Sequence, residues 1–213
     1  MRMVILGICG RMGEQLYTYF KERFTILGID VKQHRTVPTY AALEEISDPI
    51  DVMVDFSSPS AEPIVRSAIE KRIPVLSGTT GYKKEVIQSL QEEASSCQTI
   101  FYWSANYAKG IQLFRKLIDL CQKEFAIFDF VEIHATTKKD APSGTAKMFA
   151  EQLNIDENKI QSLRLYQAPA IHELIFASQD ERIIIRHEVI HTHAFLTGFD
   201  ELLQKIMKGE AIC

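Results

Sequence analysis

The stretch EIHATTKKDAPSGTAK, Glu132 to Lys147, crowds a histidine, lysines, an aspartate and Pro-Ser-Gly-Thr between an apolar run and a helix-spaced segment. His134 closes the apolar run, and an imidazole there can donate a proton near neutral pH. Ser143 follows Pro142 and suits a helix N-cap, so Gly144 and Thr145 would present backbone N–H groups that no helical carbonyl can reach. Such a helix start binds anions, carboxylates among them. Lys138 stands just before it and adds a point charge. Together these residues suit a small anionic substrate that must be protonated.

A second group lies at the N-terminus. GICGRMG places Gly7, Gly10 and Gly13 between a strand-like run and a helix-spaced segment, with Cys9 where the commoner G-x-G-x-x-G pattern has its middle glycine. Gly7 allows the tight turn, Gly10 lets the backbone approach a pyrophosphate, and Gly13 lets helix pack on strand. Asp30 ends the next apolar run, where a ribose-binding carboxylate belongs. That carboxylate favours NADH, whereas nearby Lys32, His34 and Arg35 could neutralise a 2'-phosphate and keep NADPH open. A plain strand–helix connection is the alternative reading. DFSSP (Asp55 to Pro59), GTTG (Gly78 to Gly81) and SANYAKG (Ser104 to Gly110) are small or polar enough to approach a cofactor, although each alone is a common loop composition. His187, His191 and His193 would share a strand face, but no carboxylate or cysteine completes a ligand set, so strand and interface roles are expected rather than a metal site.

The elements that must position these residues follow from periodicity. MRMVILGI, TILGID, IDVMVDFS, IPVLSGTTG and QTIFYWS are short apolar runs, separated by the helix-spaced RMGEQLYTYFKERF, TYAALEEIS, PSAEPIVRSAIEKR and KKEVIQSLQEEASS. Strands of that kind alternating with helices predict an α/β fold, a Rossmann-type doubly wound parallel sheet. All the sharp turns at Gly7 to Gly13, Ser57 to Pro59, Gly78 to Gly81 and Ser104 to Asn106 then fall at strand carboxyl ends, where such sheets bind ligands. After about Asn106 the pattern changes. A longer helix, GIQLFRKLIDLCQKEF, precedes strands FAIFDFVEIHA, IQSLRLY, HELIFAS and ERIIIRHEVIH, with SQDER as a hairpin turn and PSGTAKMFAEQL as a helix among them. This predicts a second, smaller α+β domain. A last helix, GFDELLQKIMKG, could pack on either part.

Composition narrows the function class. The 213 residues are 46% hydrophobic, enough for a sizeable core. A formal charge of -4 argues against a dedicated nucleic-acid partner. No apolar run approaches the roughly 20 residues that span a bilayer, and MRMVILGICGRMG has no Ala-x-Ala site and ends in a glycine turn, so it is read as a strand. Cys9, Cys97, Cys121 and Cys213 form no C-x-x-C pair, which fits a reducing, cytoplasmic setting without zinc or disulfides.

GxxGRMG, DFSSP, GTTG, ANY and above all E-I-H-x(3)-K-x-DAPSGTA, in this order, resemble the 4-hydroxy-tetrahydrodipicolinate reductase (dihydrodipicolinate reductase) family of diaminopimelate and lysine biosynthesis. The resemblance implies NADH or NADPH as hydride donor, a small dicarboxylate substrate and a homotetramer built by the second domain's sheet. The implied boundaries are 1–106 for dinucleotide binding, 107–193 for substrate and tetramerisation, and 194–213 for a C-terminal helix returning to the first domain. Gly7, Ile8, Cys9, Gly10, Arg11 and Met12 would hold the pyrophosphate and Asp30 the ribose. Gly78, Thr79 and Thr80, with Ser104, Ala105, Asn106 and Tyr107, would flank the nicotinamide. His134 matches the family's proton donor, Lys138 its substrate-binding and proton-donating lysine, and Gly144 and Thr145 the pair that grips a carboxylate. The chain departs from the pattern where Ala135 replaces a second histidine, Thr136 and Thr137 replace basic or polar residues, and His191-Thr192 replaces Ser-Arg. It stops soon after Gly209, like the short versions of the family. Ala135 leaves one alternative: a protein that binds cofactor with lost or altered catalysis.

Overall fold

The computed structural model describes residues 1–191 and 193–210; Thr192, Cys213 and the last residues of the expected C-terminal helix lie outside the described residues. The chain forms two compact units, Met1–Ser104 with the chain from Leu203 onward, and Ala105–Leu202.

The first unit contains β1 (Arg2–Leu6), α1 (Arg11–Phe20), β2 (Thr25–Ile29), β3 (Thr39–Tyr40), β4 (Val52–Asp55), α2 (Glu62–Glu70), β5 (Val75–Ser77), α3 (Lys84–Ser96) and β6 (Phe101–Trp103). The strands form one parallel sheet in the order β3-β2-β1-β4-β5-β6. The chain winds outward from β1 to β3, then crosses to β4 and winds the other way. This is the doubly wound topology expected, with its switch point between β1 and β4. Met3, Val4, Ile5, Val52, Met53 and Val54 are fully buried, which is why these strands read as unbroken apolar runs. TYAALEEIS is not the short helix expected. Thr39 and Tyr40 pair with Gly28 and Ile29 to extend the sheet edge, and only a 3₁₀ turn at Leu43–Glu45 follows. Edge pairing of a β-branched and an aromatic residue outweighs the helical propensity of the segment.

The second unit contains α4 (Lys109–Glu124), β7 (Ile127–Ala135), α5 (Gly144–Leu153), β8 (Ile160–Leu165), β9 (Ala170–Ala177), β10 (Arg182–Val189) and the start of α6 (His193–Met207). Its sheet runs β10-β9-β7-β8, with β7 and β8 parallel and the other pairs antiparallel. The β9–β10 hairpin closes where expected, Ser178 N donating to the Glu181 carbonyl at 3.0 Å. One sheet face is apolar toward α4 and α5: Phe130, Leu174 and Phe176 pack in one core with Phe114, Ile118 and Phe149. The other face leaves Leu163, Leu165 and Ile184 exposed. Strand β10 stops at Val189, short of the expected His191, so His191 and His193 do not sit on the strand with His187.

Two glycines in the first turn are required sterically. Gly7 has φ of 85°, a conformation that strains residues with a Cβ. A Cβ on Gly13 would stand 2.2 Å from the Gly7 carbonyl oxygen and 2.6 Å from Ile8 Cα, both backbone atoms. Gly13→Ala is therefore expected to destabilise the protein by about 1–3 kcal/mol or more through overpacking, measured as a lower urea midpoint than that of a Gly144→Ala control, whose Cβ would meet nothing within 4 Å.

Candidate functional site

In the first unit the glycine turn, Asp30 and the β4 loop surround one cavity of about 370 Å³. It is lined by Gly7, Gly10, Asp30 and Val31, by Phe56, Ser57, Ser58 and Ser60, and by apolar Ile29 and Ile64. It opens at the carboxyl ends of β1, β2 and β4, the crevice such sheets use for ligands. Helix α1 begins there with Gly10 as an N-cap that makes no side-chain hydrogen bond. The helix's first N–H groups, at Arg11 and Met12, are thus left for an anion. Ile8 is fully buried, so only its backbone faces the turn, and Arg11 is exposed. The Asp30 carboxylate accepts from Cys9 N at 3.0 Å and from Lys32 N at 3.0 Å. It braces the glycine turn and still offers each oxygen a second lone pair. A dinucleotide's adenosine half fits this cavity in size, polarity and charge.

His34, expected with Lys32 and Arg35 to be able to neutralise a 2'-phosphate, is turned inward. Its side chain is 4% exposed, lies 3.3 Å from Glu14, and accepts from Thr36 N and Val37 N at 3.2 Å. It holds its loop against α1, and Lys32 and Arg35 are exposed.

DFSSP and GTTG meet on one buried carboxylate. Asp55 accepts from Ser57 Oγ at 2.5 Å, Ser77 Oγ at 2.7 Å, Thr79 Oγ1 at 2.8 Å and Tyr82 OH at 3.3 Å. Burial and the Asp55 charge push the Tyr82 phenol well above its ordinary value. Thr79 is buried and its hydroxyl is spent on Asp55 and Ser57 N, so what it can offer a cofactor is backbone. Gly78 makes room for the Phe56 ring, which a Cβ would approach to 2.0 Å. Thr80 is exposed, and Ser104, buried, ends the unit with its N–H bonded to Ser77 O.

In the second unit, strand register assembles a polar row on the helix-covered sheet face. Ser162, Glu132, His172 and His187 are successive partners across β8, β7, β9 and β10, and His134 pairs with Arg164 two residues further along β7. Glu132 is fully buried. Its Oε1 accepts from Ser162 Oγ at 2.8 Å, Ser143 N at 3.0 Å and Arg164 at 3.0 Å. Its Oε2 lies 3.2 Å from His134 Nδ1, near enough for an ion pair though not aligned as a hydrogen bond. Burial alone would raise the Glu132 carboxyl, but its contacts with His134, Ser143, Ser162 and Arg164 outweigh this and hold it far below the usual carboxylate range.

Ser143 caps α5 as expected, its Oγ accepting from Ala146 N at 3.2 Å. Gly144 is exposed with open space in front of it, and Thr145 Oγ1 accepts from Asn106 Nδ2 at 3.3 Å. Lys138 Nζ bonds Asp140 Oδ1 at 2.8 Å, and Arg164 reaches the carbonyls of Lys138 and Asp140, tying that loop to the sheet. Asn106 Oδ1 accepts from Ala108 N at 2.9 Å to start α4, and Ala105 precedes it half-buried. Tyr107 is buried with its ring edge-on to Phe195 and Phe199, so its side chain serves this unit's core.

Sequence reasoning gave Arg164, Ser162 and His172 no part in the site and did not single out Glu132 or Asp55 within their motifs as the carboxylates that organise it. The available signal was polarity out of place: Glu132 interrupts the apolar run FAIFDFVEIHA, and His172 opens HELIFAS. The histidines that do gather are His134, His172 and His187, with ring centroids 5.6 Å and 6.3 Å apart in that order.

A doubly wound nucleotide-binding sheet, a cavity at its switch point and a separate acid–cation–helix cluster define an NAD(P)-dependent oxidoreductase. The family model "Dihydrodipicolinate reductase, N-terminus" matches residues 1–107, and "Dihydrodipicolinate reductase, C-terminus" matches residues 110–211. A 4-hydroxy-tetrahydrodipicolinate reductase of Caldanaerobacter subterraneus is 32% identical, over 92% of this chain and 89% of that protein. One from Streptococcus sanguinis is 28% identical over 97% of this chain and 94% of that protein. Among solved structures, a dipicolinate-bound dihydrodipicolinate reductase from Paenisporosarcina sp. TG-14 superposes with a TM-score of 0.83 at 21% identity, covering 97% of this chain and 94% of that one, a likeness of fold. The chain belongs to the dihydrodipicolinate reductase family. This is an oxidoreductase family, and its cofactor is NADH or NADPH.

Burial pushes the His172 imidazole down from 6.5 to about 3, with His134 adding to the effect, and burial also lowers His187. The unfolded chain then binds the His172 proton at a higher pH than the folded one. The stability His172 contributes is fully present above pH 6.5 and is lost as pH falls toward 3, with a slope of up to about 1.4 kcal/mol per pH unit. Urea unfolding of His172→Asn between those limits is expected to show a shallower loss of stability than the parent chain.

Proposed function

We propose that this chain reduces 4-hydroxy-tetrahydrodipicolinate to tetrahydrodipicolinate with NADH or NADPH, in diaminopimelate and lysine biosynthesis. The observation that carries this is the juxtaposition in one unit of His134, its buried partner Glu132, and the open N-terminus of α5. An acid beside a carboxylate cradle is what protonation of a dicarboxylate requires. The match of both family models and the names of the curated relatives support the substrate.

In this reading Gly7 to Met12 hold the pyrophosphate by backbone N–H groups at the α1 start, with Arg11 alongside. Asp30 takes the ribose hydroxyls, using lone pairs its two backbone donors leave. Gly78, Thr79, Thr80 and Ser104 to Tyr107 flank the nicotinamide, Thr79 and Tyr107 through their backbones. The substrate's 4-hydroxyl leaves as water with a proton from the neighbouring ring carbon, giving a carbon–carbon double bond conjugated with the ring imine. The cofactor, when bound, would supply hydride to carbon 4 of that dehydrated ring. Gly144 and Thr145 grip one carboxylate, Lys138 turns from Asp140 to the dianion, and His134 gives its proton to the partner carbon. Where the family commonly has a second histidine, Ala135 contributes no ring, and in this reading Lys139, which is exposed, shares the substrate's charge. The exposed apolar face with Leu163, Leu165 and Ile184 supports a homotetramer joined through this sheet. The enzyme of this reading is cytoplasmic; among the described residues no helix is long and apolar enough to cross a membrane.

Substrate generated from pyruvate and aspartate semialdehyde by a coupled synthase tests the reading through loss of NAD(P)H absorbance. Cofactor binding without turnover overturns it. His134→Ala should lower kcat by about 10²–10⁴-fold, the span of general acid catalysis, with NADH affinity unchanged in fluorescence titration. Asp30→Ala should weaken NADH more than NADPH in the same titration, because it removes a ribose acceptor from one and a repelling charge from the other.

A further inference from the structure

We propose that Glu132 is the positioning residue for His134: it holds Nδ1 so that the transferable proton sits on Nε2, and it sets the carboxylate cradle and the Lys138 loop in register with that ring. The proposal rests on His134 being the acid of the reduction.

The geometry follows from one carboxylate with two differently occupied oxygens. Oε1 is held by Ser162, by the Ser143 N–H at the start of α5 and by Arg164. Arg164 in turn bonds the Lys138 and Asp140 carbonyls. Oε2 has no hydrogen-bond partner and faces His134 Nδ1 at 3.2 Å. A rigidly held carboxylate beside one ring nitrogen selects the tautomer and orients the ring. When Nε2 gives its proton to the carbon made electron-rich by hydride addition, the N–H electron pair stays on the ring. The product is a neutral imidazole that keeps its Nδ1–H beside Glu132.

The groups facing His134 from its surroundings fit that role. Glu132 on β7 supplies the negative charge, and Arg164 on β8 balances it. His172 on β9, 2% exposed and with neither ring nitrogen hydrogen-bonded, adds no second cation near neutral pH. His187 lies behind it on β10, and Lys138 is paired with Asp140 in the following loop. Donor atoms of Glu132, His134 and His172 lie within 4.8 Å of one another, a spacing a divalent cation could use. The Arg164 guanidinium on the same carboxylate opposes a further cation there, so the acid–carboxylate pair is the reading the charges favour.

The full chain with ¹⁵N-labelled histidine tests this by long-range ¹H–¹⁵N NMR, with the His134 signals assigned by their loss in His134→Gln. Neutral His134 as the Nδ1–H tautomer is expected. Predominance of the Nε2–H tautomer overturns the proposal, and this readout needs neither turnover nor a variant of Glu132. In Glu132→Gln the Nδ1–H preference should weaken, kcat should fall about 10–100-fold as for other orienting partners, and the alkaline fall of kcat should begin at lower pH. Glu132→Asp, which keeps the charge, should restore that limb. NADH titration of each variant reports the intact nucleotide unit. Unchanged kcat and an unmoved limb in Glu132→Gln would refute the role. Loss of turnover in the parent chain refutes the reductase reading while leaving the tautomer result to stand or fall alone.

Discussion

A carboxylate sealed from water must find every hydrogen bond inside the protein, and each unit of this chain is organised around one such group. In the first unit Asp55 takes donors from three segments: the loop after β4, the end of β5 and the turn that follows it. Desolvating an ionised carboxylate costs several kcal/mol, and only well-placed donors offset it. The loops that supply those donors therefore have little freedom. The crevice beside the glycine turn is walled by segments whose conformations are determined from beneath.

Glu132 imposes the same constraint in the second unit, with more at stake. Its donors come from Ser162 and Arg164 on β8 and from the start of α5, and the other hydrogen bonds of Arg164 hold the 138–140 loop. The helix start that could receive a carboxylate, the loop carrying Lys138 and the ring of His134 are thus all referred to one point. Acid catalysis and electrostatic stabilisation depend on such preorganisation, since a group that must reorient during the reaction gives back much of its benefit. The apolar cover of Phe114, Phe149 and Phe176 keeps the row dry, which strengthens the ion pairs and keeps His172 neutral.

Much of the fold was legible because its signals are local. Unbroken apolar runs alternating with helix-spaced segments, and a glycine turn between the first two, suffice to specify a doubly wound sheet. The misread segment, TYAALEEIS, failed because its structure depends on an edge partner, Gly28–Ile29, that no local pattern reveals. The histidine trio His187, His191 and His193 misled for a similar reason. Their shared face assumed a strand running on to His193, whereas β10 ends at Val189.

What the sequence determined by itself was the chemistry on offer: a glycine-rich helix start with an acidic residue at the next strand's end, and His134, Lys138 and Ser143 to Thr145 within one short span. These are near neighbours along the chain, so spacing alone places them. Tertiary structure decided which groups hold them. Arg164 and His172 meet Glu132 only because parallel β8 and antiparallel β9 flank β7 in one particular register. A one-residue slip would turn either side chain to the opposite face. That register is set by packing of the whole sheet against α4 and α5, a sum over many distant contacts.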